Sequence, residues 1–445
     1  MRFTDIALSL DLYELTMAQV YFKKQENKIA VFDFYTRPVK KRPYFINAGL
    51  EILLFYLENL KFTDEDIDFL KKSGKFTDDF LDFLKSFRFS GNVYAVEEGE
   101  VFFPNEPVVE IEAPLIEAQI IETLLTNTLQ ISILAATKAA RCFSVAKGTS
   151  LIDFGLRRAH GIDAGLKVAR ASYIAGFMGT SNVLAGKEFG IPIFGTMAHS
   201  FILAFEDEKT AFKAFAQQYP EDSIFLIDTF DTIKGVYNAI EVAKELGLKS
   251  IKGVRLDSGD ILSLSRKVRE ILDNAGFKDA KIFASGGINE FKIKELLDNN
   301  APIDGWGIGT DLAVSSDAPY LDCAYKLVEY DGLPKMKLSA GKITYPSRKQ
   351  VFRFYENNTI KKDILATKDE DFAGKKLIKK VMENGRICIK LPTLKEIREK
   401  AVENLNTIPE HIKDIYAEDV FLPELSEKMR QITEETVKSG GSHER

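Results

Sequence analysis

The sequence predicts an α/β protein: an irregular, TIM-like α/β barrel joined to a mixed α+β domain built from the N- and C-terminal segments. Three observations carry this. Within residues 150–308, short apolar strand-like segments alternate with helical patterns, the signature of buried parallel strands covered by helices. The 445-residue length exceeds one ordinary domain. The character of the chain also changes near residues 135 and 335, giving a mixed segment 1–135, a barrel 136–335 and a segment 336–445 expected to pack back on the first.

Taken in order, residues 11–22 space Leu12, Leu15, Met17, Val20 and Tyr21 at helical intervals, with Asp11 and Glu14 in the first turn. Residues 30–37 read as a strand, 48–59 as an apolar helix, and 63–87 as acidic, aromatic helices. Residues 91–113 are short β pieces broken by Gly99, Pro104 and Pro107, and 117–147 read as one or two buried helices. Strands follow at 150–154, 191–194, 223–227, 251–256, 281–284 and 303–308, with helices such as 232–245, 261–275 and 290–299 between them. Six such units favour a barrel over a doubly wound sheet. Further strands are expected at 337–342, 350–355 and 386–390, then a helical last fifty residues and a disordered tail at 439–445.

Hydrophobic content of 45% and charged content of 28% describe a globular chain with a large core. The net charge of −6 argues against nucleic acid as the main partner. Cys142, Cys323 and Cys388 are scattered, without metal-ligand spacing, which suits a reducing compartment. Residues 1–5 lack the basic and apolar regions of a signal peptide, and the weakly charged stretch 123–137 is too short to span a bilayer. A cytoplasmic protein without membrane contact is expected.

Ligands of parallel α/β barrels bind where strands end and helices begin. Those positions are rich in polar residues: Asp153 to Gly161 with Phe154, Arg157 and Arg158; Gly195, Thr196 and His199; Asp228 to Thr232; Arg255 to Asp260; Ser285 to Asn289; and Gly307 to Asp311. His199 stands out, because a helix is expected to start near Ser200 and a helix start favours a phosphoryl group. A histidine there could carry that group or shuttle a proton. Each motif also has a plain reading. Asp257-Ser258-Gly259-Asp260 can cap a helix, Asp231 or Thr232 can cap the next one, and the glycine turns can be simple turns. Together, two arginine-bearing turns, several carboxylates, glycine-rich turns and a histidine at one barrel mouth point to a phosphate-bearing substrate.

These residues resemble the nicotinate phosphoribosyltransferase family over nearly the whole chain. The matching runs include Asp11-Leu12-Tyr13-Glu14-Leu15-Thr16-Met17, Asp153-Phe154-Gly155-Leu156-Arg157-Arg158, Gly179-Thr180-Ser181-Asn182, Gly195-Thr196-Met197-Ala198-His199-Ser200, Asp228-Thr229-Phe230-Asp231-Thr232, Arg255-Leu256-Asp257-Ser258-Gly259-Asp260 and Gly307-Ile308-Gly309-Thr310. The resemblance implies an enzyme that makes nicotinate mononucleotide and pyrophosphate from nicotinate and phosphoribosyl pyrophosphate, the first step of NAD salvage from nicotinate. It implies ATP as co-substrate coupled through a phosphohistidine, Mg²⁺, and a homodimer with shared active sites. His199 would be the phosphorylated residue. Tyr13 of a neighbouring subunit would stack on the pyridine ring against Phe154. Arg255 and Thr196 would bind nicotinate or the groups beside it, with Arg157 near the carboxylate and ribose. Asp228 and Asp257 would organise ribose hydroxyls and Mg²⁺–pyrophosphate, and Ser285, Gly286, Gly309 and Thr310 the 5′-phosphate. No structural metal site is expected.

Ser181 is the readable specificity residue. Related nicotinamide enzymes carry an aspartate there, whereas neutral Ser181 imposes no like-charge penalty on a carboxylate substrate. The alternatives are a nicotinamide phosphoribosyltransferase and a non-catalytic barrel protein that binds phosphoribosyl pyrophosphate.

Overall fold

The computed structural model describes residues 6–338 and 344–440. The chain forms two compact units: residues 1–137 with 320–445, and residues 138–319. The helix Glu122–Val145 contains the first boundary.

The first unit is mixed α and β. Its largest sheet has seven antiparallel strands in the order Leu333–Pro334, Cys323–Tyr330, Ile29–Thr36, Pro107–Pro114, Asn92–Val96, Ile378–Glu383 and Arg386–Ile387. Three strands from the N-terminal segment therefore form the centre of one sheet, flanked on both sides by strands from the C-terminal segment. A second sheet joins Lys375–Lys376, Lys349–Glu356, Thr359–Thr367 and Glu424–Leu425. The helices Leu12–Lys24, Leu50–Asn59, Asp64–Lys72 and Asp78–Ser86 supply Leu15, Leu53, Leu70, Phe80 and Leu84 to the core. Helix starts are set locally: Thr63 with Asp66, and Thr393 with Glu396, form reciprocal capping boxes.

Several expectations for the C-terminal third need correction. Lys337 and Leu338 are not in a strand, and residues 339–342 of the expected strand lie outside the described residues, as does the tail at 441–445. The strands Cys323–Tyr330, Thr359–Thr367 and Ile378–Glu383 were not expected. The last of these, Ile-Lys-Lys-Val-Met-Glu, buries Ile378, Val381 and Met382 around two exposed lysines, so a two-residue alternation is lost. The last fifty residues are also not wholly helical, since Glu424–Leu425 pairs in parallel with Thr359–Thr367.

The second unit is an irregular barrel. Its parallel strands run in the order Gly179–Thr180, Ser150–Asp153, Gly305–Ile308, Lys281–Ala284, Gly253–Leu256 and Ile224–Leu226. A bridge from Thr180 to Ile193 extends this sheet by one position beyond Gly179–Thr180. Here the sequence reading is corrected: residues 191–194 supply only that bridge, and the strand in their place is the two-residue Gly179–Thr180. Pro192 has no N–H to give a ladder, and its carbonyl accepts from Thr180 at 3.0 Å. A side chain at position 179 would come within 2.2 Å of that carbonyl, so Gly179 is what permits the approach. The helices Thr232–Glu245 and Ile261–Asn274 bury Val236, Ala239, Val268 and Leu272 against Val254, Leu256 and Ile282. No helix among the described residues is long and apolar enough to cross a membrane.

Candidate active site

The barrel strands are short and buried, so polar side chains appear chiefly where they end. At the end of Ser150–Asp153, the buried Asp153 carboxylate accepts the Gly155 N–H at 2.7 Å and the Thr180 hydroxyl at 2.7 Å. Burial raises this carboxyl to about 6, and the two hydrogen bonds pull against that rise. The next residue, Phe154, lies across Gly307, where a Cβ would come within 2.4 Å of its ring. Ser181 donates its N–H to the Asp153 carbonyl at 2.8 Å.

Arg255, on Gly253–Leu256, donates to the Thr196 hydroxyl at 2.9 Å and to the Met197 carbonyl at 3.0 Å. Its Nε is buried without a hydrogen-bond partner. Burial pulls its pKa down, Asp257 and Asp228 resist, and Arg157 adds repulsion. Arg255 nonetheless keeps its charge, as arginine does in proteins.

His199 is the first residue of the helix His199–Leu203, one residue earlier than expected. That helix is only five residues long, so it contributes little dipole, and Ala198 gives no side-chain cap. What orients the imidazole is Thr229, whose hydroxyl lies 3.0 Å from Nδ1. Nε2 faces two carboxylates, with Asp257 Oδ2 at 3.8 Å and Asp228 Oδ1 at 4.0 Å. Asp228 Oδ2 accepts from the Asp257 N–H at 2.9 Å and the Ser258 hydroxyl at 2.6 Å, while its Oδ1 is buried without a hydrogen-bond partner. Asp257 Oδ1 accepts from the Ser285 hydroxyl. Gly286 has φ +78°, and a Cβ there would lie 2.0 Å from the Asp257 carbonyl, so only glycine lets these two turns meet.

Beside this cluster is a cavity of about 610 Å³, lined among others by Phe154, Met178, Phe194, Thr196, Arg255 and Phe283. Aromatic walls with one guanidinium suit a small, flat, anionic ring. Among the described residues, no group of three or more His, Cys, Asp or Glu side chains is placed to hold a metal ion.

The structure thus links His199, Asp228, Asp257 and Ser285 in one set, and Arg255 with Thr196 in a second beside Phe154. Gly309 lies against the Phe154 backbone, and Arg157 and Thr310 are exposed. Tyr13 belongs to the other unit, exposed in the first turn of Leu12–Lys24, where burial and the nearby Glu122, Glu14 and Asp11 raise its hydroxyl pKa. Asp231 and Asp260 are not at the site. They cap the helices Thr232–Glu245 and Ile261–Asn274 through the N–H groups of Lys234 and Ser263. The sequence reading did not single out Thr229. Its position after a strand was the available signal, but which residue of such a turn points inward depends on backbone geometry.

Family models match residues 8–130 (nicotinate phosphoribosyltransferase N-terminal domain), 149–350 (nicotinate phosphoribosyltransferase family) and 370–433 (C-terminal domain). Nicotinate phosphoribosyltransferase pncB2 of Mycobacterium tuberculosis is 47% identical over 92% of this chain and 89% of its own length. Nicotinate phosphoribosyltransferase of Bacillus subtilis is 40% identical over 97% and 96%. The crystal structure of human nicotinic acid phosphoribosyltransferase superposes with a TM-score of 0.86 at 26% identity, covering 96% of this chain and 99% of that one.

Proposed function

The chain belongs to the nicotinate phosphoribosyltransferase family, enzymes of NAD biosynthesis, and from that premise we propose how its site works. The enzyme transfers phosphoribosyl from phosphoribosyl pyrophosphate to the ring nitrogen of nicotinate, giving nicotinate mononucleotide and pyrophosphate. ATP phosphorylates His199 to drive the cycle. The observation that carries this reading is the pairing of two orphan groups: the spare Arg255 N–H beside the aromatic cavity and the spare Asp228 oxygen facing His199.

Nicotinate lies in the cavity against Phe154, with Tyr13 of the partner subunit on its other face in a homodimer with shared active sites. The unpartnered Arg255 Nε–H, oriented through Thr196, is the donor a carboxylate needs. Arg157 adds positive charge nearby. Ser181 leaves the carboxylate unopposed. Ser285, Gly286, Gly309 and Thr310 hold the 5′-phosphate at the ends of neighbouring strands.

Asp228 and Asp257 fit Mg²⁺ bound largely through substrate phosphates, because each has an oxygen facing the same space and Mg²⁺ takes one or two carboxylates in such sites. When bound, Mg²⁺ neutralises charge on the leaving pyrophosphate. The same carboxylates orient the ribose hydroxyls. As the bond to pyrophosphate lengthens, the anomeric carbon gains oxocarbenium character and the pyridine nitrogen attacks its opposite face. No covalent enzyme nucleophile is needed for that step; positioning and electrostatics lower the barrier. His199 serves a separate step: its imidazole takes the γ-phosphoryl group and ADP leaves, ATP's free energy tightens binding of the ribosyl donor, and water later cleaves the N–P bond to give inorganic phosphate and the free imidazole.

Mononucleotide formation, followed with and without ATP and Mg²⁺ and with nicotinamide as competitor, tests this. Pyrophosphate release should require nicotinate and rise with ATP. A preference for nicotinamide overturns the Ser181 argument, and binding of phosphoribosyl pyrophosphate without turnover overturns the enzymatic one.

A further inference from the structure

We propose that Asp153, acting through Thr180, is the positioning residue that fixes Phe154 relative to Ser181 and so sets selectivity for nicotinate. The inference rests on the reading that Phe154 and Ser181 border the pyridine substrate. Asp153 is 1% exposed and is not among the cavity-lining residues, so its role is exerted through other groups.

Three hydrogen bonds leave this residue. Oδ1 takes the Gly155 N–H and Oδ2 the Thr180 hydroxyl, each at 2.7 Å, and the carbonyl takes the Ser181 N–H at 2.8 Å. The first closes the turn that carries Phe154; the other two tie the Thr180–Ser181 backbone to it. A Cβ at position 155 would stand 2.9 Å from Oδ1, so the turn is closed onto the carboxylate itself. The Thr180 hydroxyl gives its one proton to Asp153 and accepts the Asn182 N–H at 2.9 Å, and Asn182 caps the helix Val183–Phe189 through the Ala185 N–H at 3.1 Å. One hydroxyl thus connects the Phe154 turn to the start of a helix past Ser181. A buried carboxyl is costly, and an apolar residue would fill the space more cheaply. What it supplies is two acceptors in a fixed fork.

The test removes the connection without touching Phe154, Ser181 or Asp153. Thr180→Val keeps the shape and deletes the hydroxyl, Thr180→Ala deletes it without added bulk, and Thr180→Ser restores it. Steady-state kinetics should show the KM for nicotinate rising about tenfold in Val and Ala, the size of one lost charge-assisted hydrogen bond. The kcat should stay within about threefold, the KM for phosphoribosyl pyrophosphate should hold, selectivity over nicotinamide should fall, and Ser should match the wild type. An unchanged nicotinate KM in both deletions, or an equal rise for both substrates, overturns the inference. A wild-type enzyme without nicotinate-dependent pyrophosphate release refutes the proposed function instead.

Discussion

Two arginines, Arg353 buried in the mixed unit and Arg255 half-buried in the barrel, show how the same residue serves opposite ends. Arg353, in the mixed unit, is 1% exposed and has every nitrogen engaged. Nε and Nη2 donate to Asp363 at 2.9 and 2.6 Å, and Nη1 donates to the Val101 carbonyl at 2.8 Å and to Glu100 at 3.2 Å. Burial works against its charge, but Asp363, Glu106 and Glu100 outweigh burial and hold its pKa above the ordinary value. Arg255, in the barrel, has two nitrogens engaged by neutral oxygens and its Nε unpartnered; there burial wins and the pKa falls. A fully satisfied buried charge is a staple. A half-buried guanidinium with a buried donor to spare, beside a cavity, is prepared for a ligand.

Removing each arginine separates the two roles. Arg353→Met leaves Asp363 buried without its cation, while Glu100 keeps Lys375, and denaturant unfolding should show a loss of about 3–5 kcal/mol. Arg255→Met should cost about 1 kcal/mol or less in stability, yet lower kcat/KM for nicotinate roughly 10²–10³-fold. Similar stability losses in both would break the comparison.

Asp153 sharpens it through pH. Burial holds this carboxyl at about 6, above the ordinary 3.8. The folded chain therefore binds that proton more tightly than the unfolded chain. The residue's contribution to stability is complete below about pH 4 and is lost as pH rises through 6, to a total of about 3 kcal/mol. Asp153→Asn should flatten this part of the stability–pH curve; identical slopes in the two proteins would count against the buried-carboxyl description.

The smallest effect is expected within a single turn. Asp231 caps a helix, so Asp231→Ala should cost about 1 kcal/mol and leave turnover near wild type. Asp228→Asn should do the reverse, sparing stability and lowering kcat/KM. Equal kinetic losses would mean that the two carboxylates do not differ in role.

That pair also marks how far the sequence could be read. Both carboxylates end one strand three residues apart, and the sequence offers Asp231 or Thr232 as the cap of the following helix. Backbone geometry decides: Asp231 reaches the Lys234 N–H, while Asp228 turns inward to the Asp257 N–H. The strand–helix alternation of the barrel was legible because buried parallel strands are continuous apolar runs. Gly179–Thr180 was not, since two residues carry no period, and the apolar run beside it, interrupted by Pro192, took its place in the reading. Thr229 was hidden for a related reason: a hydroxyl 30 residues from His199 in sequence meets it only once two strand ends are adjacent.

The most direct test of the central claim is phosphorylation of the barrel-mouth histidine. Incubation with γ-labelled ATP should place acid-labile label on the wild-type protein, and His199→Ala should lose both the label and the stimulation of mononucleotide synthesis by ATP. Label of the same stability and amount on the His199→Ala protein would contradict the account.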